Sequence, residues 1–259
     1  MASASLPTGR QVADVVGRAI LSTHPIVWKT MPPHLMNDHL FKIFKPFKDK
    51  LRITFFDKSD PSMSDHDRAK LLGFDHAAAL HQMHGARVVR VSGESDHTEQ
   101  ADGMITDQKE LVLQIRAADC QNFIVYAPKK NIVGLLHVGW RGILAGAIPS
   151  FFATLKKEFD VDAPQTLVGA GPSLCKNCAE FSNPLLELPG IPKDCIHDHL
   201  VDLPEIALRQ FLDAGVPKKS FERMPGCTKH EPDKFWKYRG GDREVVKAGK
   251  TNVLACVLL

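Results

Sequence analysis

The chain has 259 residues, 44% of them hydrophobic, enough to bury one sizeable core. Its 33 Lys and Arg nearly balance 30 Asp and Glu, and the net charge of +3 is spread along the chain. That excludes a basic stripe for nucleic acid. No run approaches the ~18 apolar residues of a membrane span.

The opening stretch "MASASLPTGRQVADVV" lacks the apolar core of a signal peptide, so the expected location is the cytoplasm. Residues 9–22 carry a helical period, and the Pro- and His-rich residues 24–39 read as turns. In "FKIFKPFKDKLR" (41–52) Lys alternates with Phe, which reads as a solvated edge with the rings turned inward. "LRITFF" is a strand, ended by the polar "DKSDPSMSDHD". "DRAKLLGFDHAAALHQM" is helical in composition with a break at Gly73, and "ARVVRVS" is a strand by its β-branched content.

Three apolar runs of strand length follow: "ELVLQIRAADC", "NFIVYAP" and "NIVGLLHVGW". With Pro128 turning between the last two, they read as a buried meander. "ILAGAIPSFFATLKKEF" is a helix that Pro149 should kink or split. "QTLVGAGPS" is a strand, "EIALRQFLDAGV" a helix stopped by Gly215, and "TNVLACVLL" a closing strand. Strands cluster between helices without strict βαβ alternation. The expected fold is therefore α+β, one domain with mixed sheets.

The chemistry centres on His137, which ends a core strand where an apolar residue would serve stability better. Cys120 lies at the end of a neighbouring strand. If the two strands pair as a hairpin, their far ends meet. His84, in "HQMHG", is the third candidate, 36 positions before Cys120, which is itself 17 before His137. Two imidazoles and one thiolate suit zinc, with copper possible. Three protein ligands leave a fourth position open, the arrangement of catalytic rather than structural zinc. Asp119 beside Cys120 could orient a ligand or move protons, and Arg141 offers a planar fork for phosphate or carboxylate. In "FWKYRGGDR" (235–243), Phe235, Tyr238 and Arg239 could cradle a planar ring or pack as an aromatic turn. "CKNC" (175–178) reads as a structural thiol pair, because no second Cys pair sits at zinc-ribbon spacing. "CIHDH" (195–199) reads as an exposed loop.

The segments "HQMHGARVVRV", "ADGMITD", "RAADCQNFIVYAP", "LLHVGWRGILAGAI", "GAGPSLCKNCAEF", "HLVDLPEIALRQFLDAGV" and "CTKHEPDKFWKYRGGD" resemble, in order, the laccase-domain family. That family is also called multicopper polyphenol oxidase-like, and its members are described as purine nucleoside phosphorylases. The resemblance covers roughly residues 63–259 and leaves 1–62 as a divergent N-terminal segment. It implies one metal, usually zinc, on His84, Cys120 and His137, with Arg141 facing the same pocket. It implies a layered sandwich of mixed sheets flanked by helices, related to cytotoxic necrotising factor-like Cys hydrolases. The implied substrates are a purine nucleoside and phosphate: adenosine, inosine, guanosine or methylthioadenosine is cleaved, and adenosine is also deaminated. The implied assembly is a monomer or homodimer.

The chain departs from the family pattern in places. No Arg-x-Gly-Gly turn precedes the first His; "ITFFDKSDPSMSD" stands there, with Lys58 the nearest basic residue. "CKNC" replaces a more usual Gly-Pro-Cys-Cys, and Ala118 stands where Thr is usual. Three other readings compete: a metal-free Cys–His hydrolase or deamidase with Cys120 as nucleophile, a copper-dependent polyphenol oxidase, and a metal-binding protein that has lost turnover.

Overall fold

The computed structural model describes residues 40–259. The helix expected over residues 9–22 and the turns expected at 24–39 lie outside the described residues. In chain order the strands are β1 (Leu51–Phe56), β2 (His76–His81), β3 (Val88–Arg90), β4 (Ser95–Gln100), β5 (Gly103–Thr106), β6 (Leu111–Ala117), β7 (Gln121–Ala127), β8 (Ile132–Val138), β9 (Leu167–Ala170), β10 (Ile196–His197), β11 (Leu200–Val201), β12 (Phe221–Arg223) and β13 (Asn252–Leu258). The helices are α1 (Asp65–Leu71), α2 (Trp140–Ala145), α3 (Ala147–Phe159), α4 (Pro184–Glu187), α5 (Leu203–Asp213) and α6 (Arg243–Lys247).

Two mixed sheets form the body of the single α+β domain. One has the order β1-β13-β6-β2-β4, the other β12-β9-β7-β8-β5-β3. β13 shows why they stack. All seven of its residues are buried, and alternate side chains serve two layers. Leu254, Cys256 and Leu258 face the space between the sheets, where they meet Ile124, Tyr126, Val133 and Leu135. Val253, Ala255 and Val257 face Ala69 and Leu72 around α1. On the far side of the second sheet, Phe123, Val125, Leu136 and Val138 pack on Phe151 and Phe152 of α3 and Phe211 of α5. The layers therefore run helix, sheet, sheet, helices.

The 41–52 segment matches its reading: Phe41 and Phe44 are buried beneath a 3-10 turn at Lys42–Phe47, and its lysines stay exposed. Four sequence expectations need correction. "HAAALH" is not helix but strand β2, which pairs in parallel with both β4 and β6. Ala favours helix in isolation. Here Ala78 and Ala79 are fully buried in the sheet, and tertiary packing overrides propensity. The three-strand meander is only a hairpin: β7 and β8 pair antiparallel, but β6 belongs to the other sheet. The helix expected over 143–159 breaks at Gly146, whose φ of +75° caps α2, and not at Pro149. Pro149 sits in the first turn of α3, where a missing N–H breaks no helical bond. "CIHDH" is a β10–β11 hairpin with Cys195 buried, not an open loop.

Candidate metal site

The link Ala118–Cys120 carries the chain from β6 in one sheet to β7 in the other. β7 starts where β8 ends, with Asn122 opposite His137. Hairpin pairing of β7 with β8 thus puts Cys120 beside His137; the proximity that the sequence anticipates holds, but through β7, because the strand that ends before Cys120 (β6) lies in the other sheet. His84 comes from the loop after β2, in the left-handed region at φ +59°. The donor atoms of His84, Cys120 and His137 all lie within 4.8 Å of one another. The two imidazole rings meet edge to face at 4.8 Å between centroids. Gly139 is required here, because a Cβ on it would lie 2.8 Å from Cys120 Sγ.

Asp102, which the sequence reading passed over, organises this centre. It is 1% exposed. Its Oδ1 accepts His137 Nδ1–H at 2.9 Å and the His84 backbone N–H at 2.9 Å. Its Oδ2 accepts the N–H groups of Gly85 at 2.7 Å and Met83 at 3.2 Å. One carboxylate therefore fixes the strained loop that presents His84 and the ring of His137. With Nδ1 taken, His137 turns Nε2 toward the cluster. The signal in the sequence was a lone Asp between Ala101 and Gly103, in "ADGMITD", directly before a strand.

Burial opposes ionisation of Cys120, but the facing His137 and the hydrogen bonds from both histidines outweigh it and bring the thiol down to about 6. Burial likewise disfavours the His137 cation. The Cys120 thiolate and the Asp102 carboxylate outweigh that and lift His137 to about 9. Each group thus favours the charged form of the other. A soft thiolate with two imidazoles, oriented by a carboxylate, fits a zinc-type ion.

The three residues open on a cavity of about 810 Å³, which Arg141, Tyr238 and Arg239 also line. Arg141 is exposed in the first turn of α2, its guanidinium carbon 4.4 Å from the centre of the Trp140 ring. Tyr238 is 38% exposed. Arg239 already donates to the Glu180 carbonyl and covers the Phe181 ring at 4.8 Å. Phe235 does not reach the cavity. It is fully buried and packs on Phe55 at 6.0 Å between centroids, so the aromatic-turn alternative holds for it. Asp119 (φ +80°) uses both oxygens on the loop opposite, accepting Thr228 Oγ1–H at 2.7 Å and Arg239 N–H at 2.5 Å. That geometry positions a loop, and Asp119 also lines the cavity. Lys58 is also spent elsewhere, on Asp242 at 2.6 Å and over the Trp236 ring. A wider groove of about 1160 Å³ between β3–β4 and α3 shares His97 as a wall but none of the three ligands.

The sequence model of the family described as "Multi-copper polyphenol oxidoreductase laccase" matches residues 56–257. The chain is similar to a protein named purine nucleoside phosphorylase from Bacteroides thetaiotaomicron, 29% identical over 58% of each chain. It is also similar to purine nucleoside phosphorylase YlmD of Geobacillus stearothermophilus, 28% identical over 71% of this chain and 74% of the relative. The chain thus spans little more than half of the Bacteroides relative. Among solved structures, YlmD of Geobacillus stearothermophilus superposes with a TM-score of 0.68 at 22% identity, covering 82% of this chain and 93% of that one. YfiH of Bacillus licheniformis superposes at 0.64 and 23%, covering 75% and 79%. Both show the same fold. Among the described residues no helix is long and apolar enough to cross a membrane.

Proposed function

The chain belongs to the multi-copper polyphenol oxidoreductase laccase family, and we propose that within it this protein is a metal-dependent purine nucleoside phosphorylase. The reading is carried by the convergence of His84, Cys120 and His137 at the wall of a cavity sized for a nucleoside. Relatives named purine nucleoside phosphorylase support the reaction class. His84, Cys120 and His137 would hold one ion, zinc in preference to copper. When bound, it supplies Lewis-acid polarisation to an oxygen of the reactants.

The protein's own groups supply positioning and charge. In phosphorolysis a phosphate oxygen bonds to ribose C1′, the C1′–N9 bond breaks, and the purine leaves with the bonding pair and takes up a proton. Adenosine and phosphate give adenine and ribose 1-phosphate. Little covalent help is needed, so holding phosphate in line with C1′ dominates. Arg141 is the group for this, since it lines the cavity and is exposed. Arg239 lines the same cavity with one guanidinium nitrogen held on the Glu180 carbonyl, and its other N–H groups can join Arg141. Tyr238 offers an exposed ring for the purine face. Asp119 is a positioning residue that holds the Tyr238–Arg239 loop by the Arg239 N–H. Inosine, guanosine and methylthioadenosine fit the same scheme, and deamination of adenosine is a further activity of the proposed centre.

The test is the phosphate dependence of Arg141→Ala. The expected result is a KM for phosphate raised at least tenfold with zinc content unchanged. An unaltered phosphate KM would remove Arg141 from the site. A second reading rests on the Cys120–His137 pair itself, since a thiolate beside an imidazolium is also the nucleophile of a Cys hydrolase or deamidase. Rapid alkylation of Cys120 by iodoacetamide in the zinc-loaded protein would favour it. Protection by zinc favours the metal site.

A further inference from the structure

"CKNC" does not stand alone in the structure. Cys175 and Cys178 lie on one tight turn, closed by the Cys178 N–H on the Cys175 carbonyl at 2.9 Å. Cys227 and His230 lie on another, in "CTKH". Each pair has two residues between its members, and 48 residues separate the pairs. The fold sets the turns side by side through a parallel bridge between Ser173 and Cys227, and the Thr228 N–H donates to the Ser173 carbonyl at 3.2 Å. The four ligand atoms lie within 4.8 Å of one another. His230 Nε2 is 3.4 Å from Cys178 Sγ, and Nδ1 is 3.8 Å from Cys175 Sγ. All six cysteines are free thiols.

We propose that Cys175, Cys178, Cys227 and His230 bind a structural zinc ion distinct from the His84–Cys120–His137 centre. Three thiolates and one imidazole are a closed tetrahedral set with no position left for a reactant. Zn–S and Zn–N bonds of about 2.3 and 2.0 Å place tetrahedral neighbours roughly 3.5–3.8 Å apart. The 3.4 Å between His230 Nε2 and Cys178 Sγ falls at that scale, with Nε2 as the single ring nitrogen offered to the ion. The Cys175 N–H aims at Cys227 Sγ at 3.4 Å, the kind of backbone donor that steadies a metal-bound thiolate. Cys178 and Cys227 are buried while His230 is exposed, so the ion would sit just beneath the surface.

The site has a job in this fold. Both turns are tied to Asp119, next in sequence to Cys120. The Leu174 N–H donates to the Asp119 carbonyl at 3.1 Å, and Thr228 donates to its carboxylate. The loop that continues from Cys227 carries Tyr238 and Arg239 into the cavity wall. No regular strand or helix spans residues 224–242. The zinc clasp holds that stretch against the catalytic side of the domain.

The test separates the two metals by working in full-length Cys120→Ala/His137→Ala protein, purified without chelator. Elemental analysis is expected to give one zinc per chain there, and none after adding Cys178→Ser and Cys227→Ser. Cobalt(II) in place of zinc should give the intense visible bands and sulfur-to-metal charge transfer of a tetrahedral thiolate site. Should the serine variants fail to fold, the pair His230→Cys and His230→Ala decides. The first is expected to keep the ion. The second should surrender it to a competing chelator at least tenfold more readily. Absence of zinc from Cys120→Ala/His137→Ala, zinc kept by the serine variants, or equal retention by the two His230 variants would overturn the proposal. So would a Cys175–Cys178 disulfide in the freshly purified protein.

Discussion

Asp102→Asn is the sharpest perturbation of the candidate centre, because it changes one atom and almost no volume. The carboxylate accepts from four N–H donors, two on each oxygen. An amide keeps one oxygen and presents an NH₂ in place of the other. Whichever way it is turned, two donors, part-buried on the 83–85 loop or buried at His137, face a donor. Each orphaned donor costs about 1–3 kcal/mol, so the loss of stability should be about 2–6 kcal/mol, a large part of an ordinary domain's 5–15 kcal/mol. The change also removes a charge that favours the His137 imidazolium and fixes its ring. Zinc affinity should then fall roughly 10–100-fold although every ligand remains. Urea unfolding of the metal-free protein reads the first effect, and chelator competition the second. Stability within about 0.5 kcal/mol of wild type, together with unchanged zinc affinity, would refute the role given to Asp102.

Other outcomes follow from the same geometry. Gly139→Ala places a Cβ against Cys120 Sγ; it should displace the sulfur and reduce zinc binding at that centre, with about 1–3 kcal/mol of strain, measured by zinc titration and urea unfolding. Phe235→Ala should destabilise by about 3–5 kcal/mol, as for a buried core ring, whereas Tyr238→Ala should raise the nucleoside KM and leave the melting temperature almost unmoved. For Asp65, burial pushes the carboxyl up, but Arg116 and His97 outweigh it and its pKa lies below 3.8. A depressed folded pKa gives stability that is present above the unfolded value and lost as pH falls through the folded one. Asp65→Asn should therefore cost about 1–2 kcal/mol at pH 7, and the gap to wild type should close in denaturant titrations carried below pH 3.8.

The pairing of β7 with β8 was legible because "NFIVYAP" and "NIVGLLHVGW" are continuous apolar runs with a Pro turn between them, and a hairpin has only one way to bring its far ends together. From that pairing Cys120 and His137 had to meet. The placement of β6 was not legible, since its apolar run is the same whether it pairs with β7 or crosses to the other sheet. The Ala77–Leu80 stretch misled for a related reason: short side chains satisfy a helix and a tightly packed strand alike, and only the neighbours β4 and β6 decide. Asp102 carries no local pattern, because its four donors come from two distant segments, the 83–85 loop and His137 on β8. Cys227 and His230 escaped because a Cys-x-x-His pair looks ordinary until the fold sets it against Cys175 and Cys178.

The measurement that bears most directly on the proposed activity is product analysis of adenosine incubated with wild-type protein, with and without phosphate, zinc-loaded and zinc-stripped, beside Cys120→Ala. The account predicts ribose 1-phosphate equal to the adenine plus hypoxanthine formed, with free base released only when phosphate is present, and loss of turnover on stripping and in Cys120→Ala. Zinc bound at His84, Cys120 and His137 with no nucleoside cleavage, or adenine released at the same rate without phosphate, would contradict it.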